Sequence, residues 1–241
     1  MKLVEGIEAF DVVLHIKKHR VVVLADLHLG YEEALKYQGV LVPRFLLKDL
    51  MKRIIPILER LKPEKIVING DFKHEFGKVL QQEWRDTIRC IDMLSKQCKE
   101  IIIVKGNHDV FLGTIASRRN VRVEKEMWFD GILIAHGDVL PGRKSKPRII
   151  IIGHEHPAVV LRKGVRSEKY KCFLVGTWKS STLIAQPSCN LATEGTDVLR
   201  GDLLSPFLQQ DLQSFAVFIV DEEKKDVLSF GLVKHVEKLA T

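Results

Sequence analysis

The sequence predicts an α/β layered fold, and three observations carry that expectation. Short β-branched and aliphatic runs stand at Val21–Ala25, Ile66–Ile68 and Ile101–Val104. Helical periodicities separate them, as a sheet covered by helices requires. From about residue 121 the helical spacing gives way to closely spaced strand patterns.

Taken in order, Val21–Ala25 is uniformly apolar and reads as a buried strand. Leu47, Leu50, Met51, Ile54, Leu58 and Leu61 then recur at helical spacing after Pro43, an early-helix proline, while Pro56 is expected to kink or divide that helix. Ile66–Ile68 is the second strand; Leu80, Trp84, Ile88, Ile91 and Leu94 mark a second amphipathic helix, and Ile101–Val104 a third strand. Further strands are expected near 123–129, 132–136, 149–152, 158–162, 170–175, 215–220 and 227–233. Residues 186–210 carry scattered Pro, Ser, Asn, Gly and Thr and read as a long loop that either contains a short element or serves a site. No flexible linker divides the chain, so one domain over 1–241 is expected.

Composition excludes some classes. Of 241 residues 46% are apolar and 29% charged, which argues against disorder. No apolar stretch reaches the roughly 18 residues of a membrane span, and the N-terminus lacks a basic-then-apolar leader pattern, so a cytoplasmic location without membrane association is expected. Cys90, Cys98, Cys172 and Cys189 show no Cys-x-x-Cys spacing and read as free thiols. The net charge of +7 favours phosphate-bearing ligands of any kind. Two basic groups stand out: Arg143, Lys144, Lys146 and Arg148 before the 149–152 strand, and Arg162, Lys163, Arg166, Lys169 and Lys171 after it. Each is either a phosphate-steering rim or a solvated basic loop, and the first is expected on the approach to His154. Phe207, Leu208, Leu212 and Phe215 read either as core or as a contact surface, which leaves a dimer open.

The polar residues at the ends of the apolar runs are more specific. Val21–Ala25 ends in Asp26-Leu27-His28, and Ile66–Ile68 in Asn69-Gly70-Asp71. Ile101–Val104 leads to Gly106-Asn107-His108-Asp109, Ile132–Ala135 to His136-Gly137-Asp138, and Ile149–Ile152 to Gly153-His154-Glu155-His156. Any one of these is commonplace as a turn or cap. Five of the nine histidines nevertheless fall in these segments, on the side of a sheet where α/β proteins hold ligands. Alternation along an extended chain would aim Asp26 and His28 together and pair His154 with His156, although a turn there would send those two to adjacent metals. The glycines allow close backbone approach. The mixture of carboxylate, amide oxygen and imidazole suits Mn, with Fe, Zn, Co or Ni as alternatives, better than an all-oxygen Mg²⁺ site.

The ordered set Asp-x-His, Gly-Asp, Gly-Asn-His-Asp, His and Gly-His-x-His over residues 26–156 closely resembles the calcineurin-like metallophosphoesterase family. The resemblance implies a four-layer α/β/β/α sandwich with two mixed sheets. It implies two divalent transition-metal ions, one held by Asp26, His28, Asp71 and His156 and the other by Asp71, Asn107, His136 and His154, with Asp71 bridging. His108 would be the catalytic histidine and Asp109 its orienting partner. Many members carry an acid a few residues after the bridging aspartate; here the run is Phe72-Lys73-His74-Glu75, and His74 or Glu75 would give supporting contacts. Within the family the chain is similar to small prokaryotic phosphoesterases encoded beside a DNA ligase or helicase, on the Gly-His-x-His-Pro ending and the 173–207 segment, which would make DNA-repair proteins partners. The implied reaction is hydrolysis of a phosphodiester or phosphomonoester by in-line attack of metal-bound hydroxide, with His108 aiding the leaving group. The substrate would be a phosphorylated small molecule or a nucleic acid, and a nuclease acting on DNA is one form of it. The competing readings are an inactive metal-bound interaction scaffold of the same fold and a zinc hydrolase of amides or esters.

Overall fold

The computed structural model describes residues 1–37, 39–40, 45–74, 81–109, 119, 121–142, 146–163 and 166–240. Pro43, Glu75, Leu80, Arg143 and Lys144 lie outside them.

The first sheet has, among the described residues, seven strands in sequence order. These are β1 (Lys2–Val4), β2 (Ile7–Phe10), β3 (Val13–Ile16), β4 (Val21–Ala25), β5 (Lys65–Asn69), β6 (Glu100–Val104) and β7 (Arg122–Glu124). β1 to β4 pair antiparallel, whereas β4, β5, β6 and β7 run parallel. Their crossovers carry α1 (Tyr31–Tyr37), α2 (Leu46–Leu61) and α3 (Gln81–Leu94), which explains why β4 is buried on both faces and shows no alternation. The three N-terminal strands are additional to the expected pattern: each spans three or four residues and mixes charged with apolar side chains, too short for a period to stand out. Pro56 neither ends nor divides α2, which runs unbroken on either side of it. The proline is on the exposed face, so water can take the carbonyl it leaves without a partner.

The second sheet is ordered β14-β11-β12-β13-β10-β9-β8. Its members are β8 (Glu126–Phe129), β9 (Ile132–Ala135), β10 (Ile149–Ile152), β11 (Pro157–Lys163), β12 (Arg166–Trp178), β13 (Ser181–Ala185) and β14 (Thr196–Asp197). β15 (Ala216–Asp221) joins β12 and carries β16 (Asp226–Leu232), and α4 (Val233–Ala240) closes the described chain. β10 lies parallel between β9 and β13; the latter is a strand not expected from the sequence, as is α4. Asp130-Gly131 forms the two-residue turn between β8 and β9, both residues at positive φ.

Alternation along the second sheet sorts its residues to two cores. Ile132, Ile134, Ile149, Ile151, Phe173, Ile184 and Phe218 join the core shared with the first sheet. Leu133, Ile150, Ile152, Leu174 and Leu183 face the opposite side, where Phe207, Leu208, Leu212, Phe215, Val233 and Val236 cover them. The 207–215 group is therefore core. The layers are helix, sheet, sheet and a helix-and-loop cover, matching the expected sandwich of two mixed sheets. All four cysteines are free.

Candidate metal centre

All five ligand-bearing segments leave the carboxyl ends of parallel or central strands and meet where the two sheets approach. Two clusters result. Asp26, His28 and His156 form one, and Asp71, His136 and His154 the other, with potential ligand atoms in each within 4.8 Å of one another. Asp71 lies between them: its Oδ2 is 3.7 Å from His28 Nε2 and 3.4 Å from His136 Nε2. Asn107 completes the second group, its Oδ1 2.9 Å from His136 Nε2. His154 Nδ1 is 3.1 Å from His136 Nε2, and His156 Nε2 is 3.3 Å from His28 Nε2.

The convergence is not produced by strand alternation. β4 ends at Ala25, and Asp26 and His28 adopt φ of 51° and 45°. Asp71, His154 and His156 are likewise left-handed, at 39°, 62° and 52°. Non-glycine residues avoid this region, so five of them at one site mark backbone held in place by its surroundings. Left-handed turns also separate the closely spaced histidines: His154 joins Asp71 and His136, whereas His156 joins Asp26 and His28.

Several contacts fix these turns. The 26–29 and 71–74 loops are zipped together by His28 N to Asp71 O at 2.9 Å, Leu29 N to Phe72 O at 2.9 Å and His74 N to Leu29 O at 3.0 Å. The Asp26 carboxylate accepts from His154 N at 3.0 Å, and that of Asp71 from His108 N at 3.0 Å. At Gly70, φ is +76° and an added Cβ would fall inside the His136 imidazole. At Gly106 an added Cβ would lie 2.3 Å from both the Asp71 main-chain N and its Oδ1.

The loop after β13 supplies support that sequence reasoning left open. Cys189 N donates to Ala25 O at 2.8 Å, Ser188 Oγ to Asp26 O at 2.7 Å and Asn190 Nδ2 to Leu27 O at 3.2 Å. Lys171, expected in either a phosphate-steering rim or a solvated basic loop, is in neither: it is buried beneath this strap and donates its ammonium to Ser188 O at 3.0 Å and to Asn190 O. Burial lowers its pKa to about 8. Arg148 and Lys146 precede β10, whereas His154 follows its far end, roughly 15–20 Å away at strand rise. They sit at the opposite, amino-terminal end of this central strand and do not line the approach to His154. Trp178 packs on Phe207 at 5.0 Å between ring centroids, and Phe173 is core.

Electrostatics reflect six imidazoles and two carboxylates in a small volume. Burial, then the neighbouring His156, pushes His28 down to about 3. Burial likewise lowers His74 to about 4 and depresses His154. Burial opposes charge at Asp71 and His136 too, but their mutual contact outweighs it, holding Asp71 below the usual carboxylate range and raising His136 to about 9. Asp26 Oδ1 and His136 Nδ1 are buried without a hydrogen bond in the protein. These two atoms lie 3.5 Å apart, and ring nitrogens facing each other around a shared carboxylate fit divalent cations better than neutral packing.

His108 and Asp109 are placed differently from the expectation. Asp109 is fully buried, and its carboxylate accepts from Phe72 N at 3.1 Å, Lys73 N at 3.3 Å and Gly106 N at 3.0 Å. Burial raises its pKa to about 6 despite those amides. Its contacts therefore shape the loops, and the His108 ring instead finds a main-chain acceptor, Nδ1 donating to the carbonyl of His74. His108 Nε2 is left 3.7 Å from Asp71 Oδ2.

With this geometry in view, comparison decides the family. Residues 19–158, more than half of the chain, match the family model for calcineurin-like phosphoesterases. The chain belongs to that family. It is a metal-dependent phosphoesterase by fold and by its two candidate ligand clusters. No curated protein matches it. Among solved structures it is similar to the nuclease MPE of Pseudomonas putida, at 17% identity and TM-score 0.66, covering 91% of this chain and 92% of that one. It is also similar to Yfce, a phosphoesterase from E. coli, at 12% identity and TM-score 0.46, covering 88% and 98%. Zinc-bound Vps29 of Entamoeba histolytica matches at 16% identity and TM-score 0.37, covering 87% and 96%.

Proposed function

We propose that this chain hydrolyses phosphate esters at a dinuclear centre held by Asp26, His28, Asp71 and His156 on one side and Asp71, Asn107, His136 and His154 on the other. The observation that carries the reading is the position of Asp71 between the two clusters, with His108 Nε2 on the same carboxylate oxygen. When bound, two divalent ions supply Lewis acidity toward phosphoryl oxygens and lower the pKa of water. Mn²⁺ is the first choice for this mixed set, with Fe, Zn²⁺, Co²⁺ and Ni²⁺ as alternatives. The protein's own part is geometric and protonic. Asp26 and Asp71 concentrate negative charge, the imidazoles present lone pairs, and buried loops keep both from relaxing. His108, oriented through Nδ1, presents Nε2 on the side of the departing alkoxide, to which its doubly protonated form would give a proton.

A phosphodiester is the favoured substrate. The fold likeness to the Pseudomonas putida nuclease supports it, with nucleic acid as the form of diester, and the net charge of +7 suits phosphate-bearing ligands of any kind. We read residues 1–241 as one domain, on the core shared by both sheets, and place it in the cytoplasm, on its four unpaired cysteines. The test is hydrolysis of bis(p-nitrophenyl) phosphate, p-nitrophenyl phosphate and single- and double-stranded DNA, after chelation and after restoring Mn²⁺. Metal-dependent cleavage of a diester that His108→Ala reduces by about 10² or more supports the proposal. Full activity after complete chelation or in His108→Ala would sink it, and a metal-loaded protein inert to every phosphoester would favour the scaffold reading.

A further inference from the structure

A neutral imidazole has one N–H and one lone pair, so a histidine that presents Nε2 to a cation carries its proton on Nδ1 and needs an acceptor there. His28 meets this condition. Its Nε2 points into the centre, 3.3 Å from His156 Nε2 and 3.7 Å from Asp71 Oδ2. Its Nδ1 points away, 3.4 Å from Nδ1 of His74. His108 repeats the pattern: Nε2 faces Asp71, and Nδ1 meets the main-chain carbonyl of the same His74.

We propose that His74 is a positioning residue for both site histidines, its imidazole accepting from His28 Nδ1 and its carbonyl from His108 Nδ1. One residue thereby sets which ring nitrogen each presents to the centre. This rests on the phosphoesterase reading and assigns the acceptor role that Asp109 does not fill.

His74 is built to hold still. Its amide donates to Leu29 O at 3.0 Å and to Glu83 Oε1 at 3.1 Å. Glu83 is in turn paired with Lys73 at 3.3 Å, and both are about 1% exposed or less. The His74 ring meets Tyr31 edge-on at 4.6 Å and lies nearly parallel to His108, 5.6 Å away at 25°. His28, His74 and His108 could also be read as a third metal cluster. Against that, the His74 nitrogen nearest His28 faces the nitrogen pointing out of the centre, and His108 Nδ1 is committed to a carbonyl.

The experiment compares wild type, His74→Phe and His74→Gln, each metal-free and then titrated with Zn²⁺. Zn²⁺ stoichiometry and affinity are read by calorimetry, and the His28 and His108 tautomers by ¹⁵N–¹H correlation through the ring protons. Phenylalanine keeps the ring packing without an acceptor, and glutamine restores an acceptor oxygen. The expected result is two Zn²⁺ in wild type with a proton on Nδ1 of both histidines. Affinity should fall about 10- to 100-fold in His74→Phe and recover substantially in His74→Gln, with His108 keeping its tautomer in both because its acceptor is main chain. Unchanged affinity and an unchanged His28 tautomer in His74→Phe would overturn the role. Three Zn²⁺ in wild type and two in both variants would also overturn it, making His74 a ligand. A wild type that takes up no Zn²⁺, Mn²⁺ or Co²⁺ would instead overturn the reading on which this inference rests.

Discussion

Ser188 Oγ donates to the main-chain carbonyl of Asp26 at 2.7 Å, so a residue 162 positions later in the chain fixes the backbone that aims a site carboxylate. Around this bond the strap from Gln186 to Asn190 is almost wholly buried. Gln186 donates to Val12 O and Val23 O, which ties the same strap to β4 below the site.

The strap makes the centre sensitive to Asn190. Its amide donates to Leu27 O and His28 O, and its Oδ1 accepts from Ala192 N at 2.8 Å. Asn190→Ala takes the side-chain donor from the buried Leu27 carbonyl, while His28 O keeps Tyr31 N, and a loss of about 1–3 kcal/mol is expected. Urea denaturation of the metal-free protein measures it. Weaker metal binding should accompany it, because the 26–28 turn loses its clamp.

Asp71 should matter more than any ligand at the edge. Asp71→Asn removes the charge shared by both clusters, whereas His156→Ala removes a donor from one. Metal analysis after dialysis should find both equivalents weakened in Asp71→Asn, by more than about 100-fold, and one retained in His156→Ala. Equal retention in the two variants would contradict the bridging role.

Metal uptake should expel a proton from His136. Without metal its pKa is raised to about 9, so at neutral pH the ring is charged and must lose a proton before presenting a lone pair. His28, lowered to about 3, is already neutral there. Apparent affinity should therefore climb about tenfold per pH unit toward pH 9 and then level off. Calorimetry at about pH 7.5 in buffers of different ionisation enthalpy should count about one released proton, and none in His136→Asn.

Gly70→Ala should cost both fold and site. A methyl group there overlaps the His136 ring and must also adopt φ of +76°. Strain of about 1–3 kcal/mol is expected on the metal-free protein, with displacement of His136 and loss of the second equivalent of metal. Differential scanning calorimetry and metal analysis report the two effects separately.

The chemistry of the centre was legible in the order of residues. Apolar runs long enough to be buried identify β4, β5, β6, β9 and β10, and the polar residues after each identify the seven ligand candidates, because a strand end is where a buried scaffold can present a side chain to a ligand. Elements whose stability comes from partners were not legible: β1, β2 and β3 are short and mixed, β13 is defined by lying between β10 and β12, and the basic character of Lys171 gave no sign of its burial. How the ligands converge is a property of the folded chain. The left-handed turns at Asp26, His28, Asp71, His154 and His156 are locally unfavourable and have no residue signature, since these are not glycines. They persist because distant groups, Ser188 and Asn190 on one loop and Asp109 on another, hold the backbone there. For the same reason the sequence could name His108 but not its acceptor, which is a main-chain carbonyl that any residue at position 74 would carry.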